Sequence, residues 1–331
     1  MASLVSLQRV VADGRHNAFT DLIRWRGAYF LAYRTGEAHG FPPNGSVVVM
    51  RSADLSAWAV CGRIDTEGDD RDPKFVDAGE RLAVVFGTWY PRWRGGTRPN
   101  AASDLITNVA FSADGAEWSE PVQIYGVNYW LWRVLKLDAG GFLCAAYHFP
   151  VRADYQGRSV HLLRSADLVD WRLVCHLREG DGPGEPVLYS PEPGRLHCVI
   201  RALEPANHSW LGLSAAPYTS WVWHDLGVMI HAPVVLGVGD RWLVAGRSQP
   251  QDLPAGAGTV APPYHTTVWE IQGTRATHLL TVPSGGDCSY AGLALAPNGD
   301  VVMSYYSQHE RLPVPTRGPV PADVYVARLA V

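Results

Sequence analysis

The chain has 331 residues, 47% of them apolar and 18% charged, with a net charge of −4. That apolar share can bury a sizeable core, and the weak net charge argues against wholesale binding to nucleic acid or an anionic membrane. Thirteen Trp, fourteen Tyr, 33 Gly and 24 Pro favour many strands and tight turns over long helices, and the surplus of rings suits packing on sugar faces.

The first residues, M-A-S-L-V-S-L-Q-R-V, lack a basic stretch followed by an apolar core, and no run approaches the length of a membrane span. A cytoplasmic location is expected, or a secreted or periplasmic one if a leader precedes this sequence. Leu4–Val11 has strand character. A strand, tight turn and strand follow at A-F-T-D-L-I-R-W-R-G-A-Y-F-L-A-Y-R, and the same unit returns at R-D-P-K-F-V-D-A-G-E-R-L-A-V-V-F-G. Further copies lie at W-L-W-R-V-L-K-L-D-A-G-G-F-L-C-A-A-Y, E-P-V-L-Y-S-P-E-P-G-R-L-H-C-V-I-R and A-P-V-V-L-G-V-G-D-R-W-L-V-A-G-R, and a sixth at S-Y-A-G-L-A-L-A-P-N-G-D-V-V-M-S-Y-Y. They recur roughly every 50 residues, the length of a four-stranded propeller blade.

Between the copies runs a second motif, S-x-D-x-x-x-W, at Ser52/Asp54/Trp58, Ser112/Asp114/Trp118 and Ser165/Asp167/Trp171, with a worn version at Ser214 and Trp221. Each follows an apolar strand. The Asp carboxylate can accept backbone N–H groups in a turn while the Trp packs on the sheet. The reading is an all-β, six-bladed β-propeller of four-stranded antiparallel blades, forming a single domain over residues 1–331. Leu4–Val11 is expected to complete the last blade beside Ala322–Val331, removing two exposed edges. The Pro/Gly-rich stretch Gln249–Pro263 is read as a loop within blade five. Five scattered Cys (Cys61, Cys144, Cys175, Cys198, Cys288) show no C-x-x-C spacing and are read as small core residues. His208, His231 and His265 lack H-x-x-x-H spacing, so neither metal nor cofactor is expected.

These turns, in a six-bladed array, resemble the Asp boxes, or BNR repeats, of the sialidases (neuraminidases). The H-N-A-F-T-D-L-I-R start and the W-L-W-R of blade three look closer to a bacterial, exo-sialidase-like branch. The resemblance implies an acidic carbohydrate as substrate. It also implies a nucleophilic Tyr290, a base partner Glu185 opening blade four, and a carboxylate clamp of Arg201 and Arg247. Asp72, in D-D-R-D-P-K, stands where the family places its acid/base aspartate, with Asp69 and Asp70 as alternatives. Sialidases begin blade one with Arg-Ile-Pro, whose arginine completes a triad; here His16 and Asn17 stand near that place, and Arg34 lies one strand later. The chain also resembles propeller-fold ulvan and rhamnose–glucuronate lyases, which use His, Tyr and Arg on acidic sugars.

Residues where the innermost strands of a propeller begin gather at one mouth, so His16, Asp72, Arg133, Glu185, His231 and Tyr290 are expected to converge. A neutral phenol is a poor nucleophile until a neighbouring carboxylate takes its proton. Buried guanidiniums at strand ends suit bidentate binding of a carboxylate. His16, Arg34, Lys74 and Arg133 are further candidates for substrate binding. Trp130 and Trp132 are candidates for a sugar platform, and Tyr305, Tyr306, His309 and Glu310 for the rim. The expected activity is a retaining exo-glycosidase acting on a terminal acidic sugar. The alternatives are a polysaccharide lyase acting on uronates and a non-catalytic carbohydrate-binding propeller.

Overall fold

The computed structural model describes residues 2–40, 44–90, 105–149, 157–257, 263–313 and 320–331. It is all-β: six four-stranded antiparallel sheets arranged as the blades of a propeller. Blade one is β2 (His16–Trp25), β3 (Ala28–Gly36), β4 (Ser46–Ser52) and β5 (Ala59–Ile64). Blade two is β6 (Asp69–Asp77), β7 (Leu82–Trp89), β8 (Leu105–Ser112) and β9 (Val122–Ile124). Blade three is β10 (Tyr129–Lys136), β11 (Phe142–His148), β12 (Ser159–Ser165) and β13 (Trp171–Glu179). Blade four is β14 (Gly184–Tyr189), β15 (Arg195–Arg201), β16 (Ser209–Ala215) and β17 (Val222–Asp225). Blade five is β18 (His231–Val238), β19 (Arg241–Ser248), β20 (His265–Gln272) and β21 (Arg275–Val282). Blade six is β22 (Cys288–Leu295), β23 (Val301–Ser307) and β24 (Asp323–Ala330), completed by β1 (Ser3–Val11) from the other end of the chain.

The pairing of β1 with β24 is the expected closure: Leu4 lies opposite Leu329 and Val11 opposite Val324. A backbone bond from Asn17 N to Ala322 O (3.0 Å) and another from Ala322 N to Arg15 O (3.0 Å) staple blade one to blade six. The loop within blade five lies where expected, although residues 258–262 fall outside the described residues. No helix among the described residues is long and apolar enough to cross a membrane.

Strand periodicity explains why the middle strands are apolar on both faces. In β3, Tyr29, Leu31 and Tyr33 pack with Val302, Val324 and Val326 of blade six, while Phe30 and Ala32 pack with Val84 and Phe86 of blade two. In β7 the alternation repeats: Val84 and Phe86 face blade one, and Ala83 and Val85 face blade three. Each blade is thus buried on both sides by its neighbours.

The S-x-D-x-x-x-W stretches form the turns after the third strands. Asp54 accepts from Ser56 N (2.9 Å), Asp114 from Ala116 N (2.8 Å), and Asp167 from both Val169 N and Asp170 N (2.9 Å each). These turns join the third and fourth strands of blades one, two and three.

Candidate active site

The first strands β2, β6, β10, β14, β18 and β22 neighbour one another in a ring and line the central funnel. Each carries a bulge near its start, at Ala18/Asp21, Arg71/Lys74, Leu131/Arg133, Gly184/Val187, His231/Val234 and Ser289/Gly292. In five of the six the bulged residue has left-handed backbone: Phe19 (φ 58°), Asp72 (52°), Glu185 (49°), Ala232 (51°) and Tyr290 (48°). A bulge breaks the strict up-and-down alternation of a strand and re-aims one side chain. Here it turns side chains from different blades toward one cavity. Such backbone costs about 1–3 kcal/mol at each non-glycine position, and its recurrence at the same place in five blades marks a site rather than an accident.

At the centre, Tyr290 Oη donates to Glu185 Oε1 at 2.9 Å. Arg201 Nη1 donates to the same oxygen at 2.6 Å, and Ala232 N to Oε2 at 2.7 Å. Burial pushes the Glu185 carboxyl up, but Arg201, His231 and Arg247 outweigh it and hold the group down at about 2. Burial, and then the Glu185 charge, raise the Tyr290 phenol well above its ordinary value. Phe19 lies against the Tyr290 ring at 4.9 Å and Trp132 lies 5.8 Å away. The register explains the arginines: Arg201 lies opposite Gly184, and Arg247 opposite His231, so each second strand ends at the funnel. Arg247 sits 5.2 Å from the Tyr290 ring centre and donates to Cys288 O, to Tyr306 Oη (3.0 Å) and to Asp287 Oδ1 (3.0 Å).

The three aspartates of D-D-R-D have separate fates. Asp69 accepts from Arg34 and Gly45 N, and Asp70 accepts from Thr66 and Thr88. Asp72, on the bulge, is buried and its Oδ1 has no hydrogen-bond partner. Burial raises its pKa to about 6, with the Glu185 charge adding to the rise and Lys74 and Arg71 opposing it. Lys74 is buried too, its Nζ 5.0 Å from the centre of the Trp132 ring, and burial pushes it down to about 8. His16 is buried at the mouth with Nε2 3.1 Å from Asp287 Oδ2, and its burial lowers its pKa. His231 lies beside Glu185 with Nε2 2.9 Å from Asn207 O; burial and then Arg201 push it down to about 3.

Several expected residues are turned to other work. Arg34 occupies a rung like those of Arg201 and Arg247, opposite Ala18, but its side chain is 0% exposed. Its guanidinium is held by Asp69 (2.8 Å) and Ala38 O (2.8 Å) and is closed off from solvent. Arg133 ties the ring together below the site: it donates to Asp21 (2.8 Å), Pro233 O (3.2 Å) and Ala291 O (2.7 Å). Those bonds join four blades and engage the guanidinium with protein. Trp130 and Trp132 are both buried in the core, Trp130 stacked on Tyr147, so neither is an open platform. Of the proposed rim, Tyr306 reaches the site, donating to Asp287 Oδ1 at 2.7 Å. Tyr305 donates to Pro283 O, His309 stays on Ser307, and Glu310 pairs with Arg9.

Sequence reasoning missed Asp287, Phe19 and His39 as parts of the mouth. Asp287 gathers Arg247, Tyr306, His16 and His39, which come from blades five, six and one. The one local signal for the bulges was proline: Asp72-Pro73, Glu185-Pro186 and Ala232-Pro233 put Pro inside the innermost strands, which edge their sheets, at positions where an edge or a bulge tolerates it.

No protein-family model matches the sequence, and no curated protein matches it. Solved structures do. A protein of unknown function from Dyadobacter fermentans DSM 18053 superposes with a TM-score of 0.78 at 16% identity, covering 100% of this chain and 99% of that one. Trypanosoma rangeli sialidase in complex with the inhibitor DANA gives 0.67 at 13% identity, over 99% of this chain and 59% of that one. Phage phi92 endosialidase gives 0.67 at 13%, over 98% and 69%. The protein therefore has the six-bladed β-propeller fold found in sialidases, and it spans well under two thirds of the Trypanosoma chain.

Proposed function

We propose that the protein is a retaining exo-glycosidase that removes a terminal acidic sugar, a sialic acid or a related nonulosonic acid. The observation that carries this reading is the 2.9 Å hydrogen bond from Tyr290 to Glu185, with Arg201 on the same carboxylate oxygen. A sugar whose carboxylate sits on the anomeric carbon would repel a carboxylate nucleophile; a phenol backed by a carboxylate avoids that, as in the tyrosine-using glycosidases.

In this reading Arg201 and Arg247 bind the substrate carboxylate, and protonated Asp72 donates to the leaving oxygen. Tyr290 Oη bonds to the anomeric carbon as the glycosidic bond from that carbon to the leaving oxygen breaks, and the phenol proton passes to Glu185. In the resting site this transfer is uphill, because the phenol is pushed up and Glu185 is held near 2. The substrate itself lowers the barrier. Its carboxylate competes for Arg201, which loosens the guanidinium's hold on Glu185 and makes that carboxylate a better base. In the second half, Asp72, now ionised, takes a proton from water. The water oxygen bonds to the anomeric carbon as the carbon–Tyr290 Oη bond breaks, and Glu185 returns the proton to the departing Tyr290 oxygen.

The test incubates the protein with a fluorogenic sialoside and, separately, with uronate polymers. Fluorophore release supports hydrolysis. Absorbance from unsaturated uronate would replace the reading with elimination, and binding without turnover would replace it with a lectin. Tyr290→Phe retaining full activity would remove the proposed nucleophile.

A further inference from the structure

The funnel mouth holds a second cluster that the hydrolysis above does not use as acid, base or nucleophile. His16 stands at the start of β2, His39 follows β3, and Asp287 directly precedes β22. His16 Nε2 is 3.1 Å and His39 Nδ1 2.5 Å from the same Asp287 oxygen, and the three donor atoms lie within 4.8 Å of one another. Among the described residues this is the one trio of such donors gathered so closely.

We infer that His16 Nε2, His39 Nδ1 and Asp287 Oδ2 form a binding site for one divalent transition-metal cation of the Zn2+ type. Two imidazoles and one carboxylate suit a borderline cation; Ca2+ and Mg2+ prefer all-oxygen shells. Tetrahedral bonds of about 2.0–2.1 Å set neighbouring donors about 3.3 Å apart. His16 and Asp287 already stand at nearly that spacing. His39 has to draw back by less than about 1 Å, and its side chain is 52% exposed, so it has room. The carboxylate is oriented from behind, because Asp287 Oδ1 accepts from Tyr306 Oη (2.7 Å) and Arg247 Nη2 (3.0 Å), which leaves Oδ2 for the histidines. On the debit side, His16 Nδ1 is buried without a protein partner, and a missing outer-shell acceptor costs about 10–100-fold in affinity.

Three protein ligands leave a coordination position open, as in sites that take a water or a substrate oxygen. The ion would sit one carboxylate away from Arg247. Its use would be to hold an oxygen of the acidic sugar beside the clamp, a step that rests on the functional reading above; the site itself does not.

The test is titration of the chelator-stripped full chain with ZnCl2 in a calorimeter at pH 7.5, without substrate. The expected result is one Zn2+ per chain, with millimolar Ca2+ or Mg2+ failing to displace it. His39→Ala should weaken binding at least tenfold, and its exposure keeps the fold intact, as circular dichroism would verify. His208→Ala, which breaks a surface His–carboxylate pair (His208 to Asp225, 3.1 Å), should leave the affinity unchanged. An anomalous peak at the zinc edge between His16, His39 and Asp287 would confirm the ligands. Absence of saturable binding, or equal affinity in His39→Ala, overturns the site. Because no sugar is present, that failure is distinct from failure of the sialoside assay.

Discussion

Asp72 and Glu185 occupy the same bulge position in two blades, yet the fold pushes them in opposite directions, and this has a measurable consequence for stability. Asp72 rises from 3.8 to about 6 on folding. The folded state therefore holds its proton more tightly than the unfolded chain does. The resulting penalty is absent well below pH 3.8, grows as pH rises toward 6, and is constant above that at about 3 kcal/mol, from roughly 1.36 kcal/mol per unit. Glu185 falls from 4.5 to about 2. Its contribution is stabilising, fully present above pH 4.5 and lost as pH falls through 2, and is also about 3 kcal/mol. Asp72→Asn removes the penalty, so it should raise stability at pH 7.5 by up to about 3 kcal/mol. Lys74, itself pushed down to about 8, can shed its proton when the neighbouring carboxylate goes. With an unfolding entropy of about 2.1 cal/mol/K per residue over 331 residues, the gain is about 4 °C in Tm. At pH 4 it should shrink below about 1 kcal/mol, because folded Asp72 is already protonated there. Glu185→Gln should lower Tm at both pH values, since it also strands the buried Arg201 guanidinium. Scanning calorimetry of the two variants at pH 7.5 and pH 4 checks this. A fall in Tm for Asp72→Asn at pH 7.5, or a gain that persists unchanged at pH 4, would refute the assignment of Asp72 as a carboxyl held protonated by burial.

Other consequences are open to direct measurement. Tyr290→Phe should reduce sialoside hydrolysis by about a thousandfold or more while moving Tm little, because Glu185 keeps Arg201 and Ala232 N as donors. The kcat/KM of the wild type should decline as pH rises above about 6, where Asp72 loses the proton it must donate; a flat profile from pH 5 to 8 would contradict this. Gly292→Ala should cost about 3 kcal/mol, the upper end of overpacking penalties, in chemical denaturation. A Cβ there would lie 2.1 Å from Leu22 N and 2.6 Å from Asp21 C, and backbone cannot step aside. Ala232→Gly should be neutral or stabilising by up to about 1 kcal/mol, since glycine accepts a φ of 51° and the Ala232 N bond to Glu185 needs no side chain; a clear loss of stability would show that the bulge is not strained.

Much of the architecture was legible because it rests on local rules. Continuous apolar runs such as A-Y-F-L-A-Y, turns built on Asp54, Asp114 and Asp167, and a lone strand at Leu4–Val11 lead to six blades and their closure without any long-range information. The site was legible only in part. Tyr290, Glu185, Arg201 and Arg247 meet as expected, each at a strand start or end. Arg34 and Arg133 were equally charged and equally well placed in the chain, and no local pattern shows that Asp69 and Asp21 take them. The choice among Asp69, Asp70 and Asp72 was faint for a different reason, with Pro73 after Asp72 as its one local mark. It depends on which residue sits on the bulge, and strand parity alone assigns Asp70 and Asp72 to the same face.

That parity argument also explains why the chemistry sits where the backbone is least comfortable. A regular strand running along the funnel would offer it every second residue at a fixed tilt, and six such strands would line the cavity with parallel rows of side chains that do not converge. A left-handed residue in five of the six strands bends the row inward at one level. Phe19, Asp72, Glu185, Ala232 and Tyr290 are the residues at that level. One supplies a phenol, two supply carboxyls with opposed proton affinities, and Ala232 offers its N–H to Glu185. The hydrogen bonds that result, Tyr290 to Glu185 and Glu185 to Arg201, then help hold the bulges in place. The strain in the backbone and the convergence of the side chains are thus two descriptions of one local device, repeated around the ring and filled with different residues in each blade.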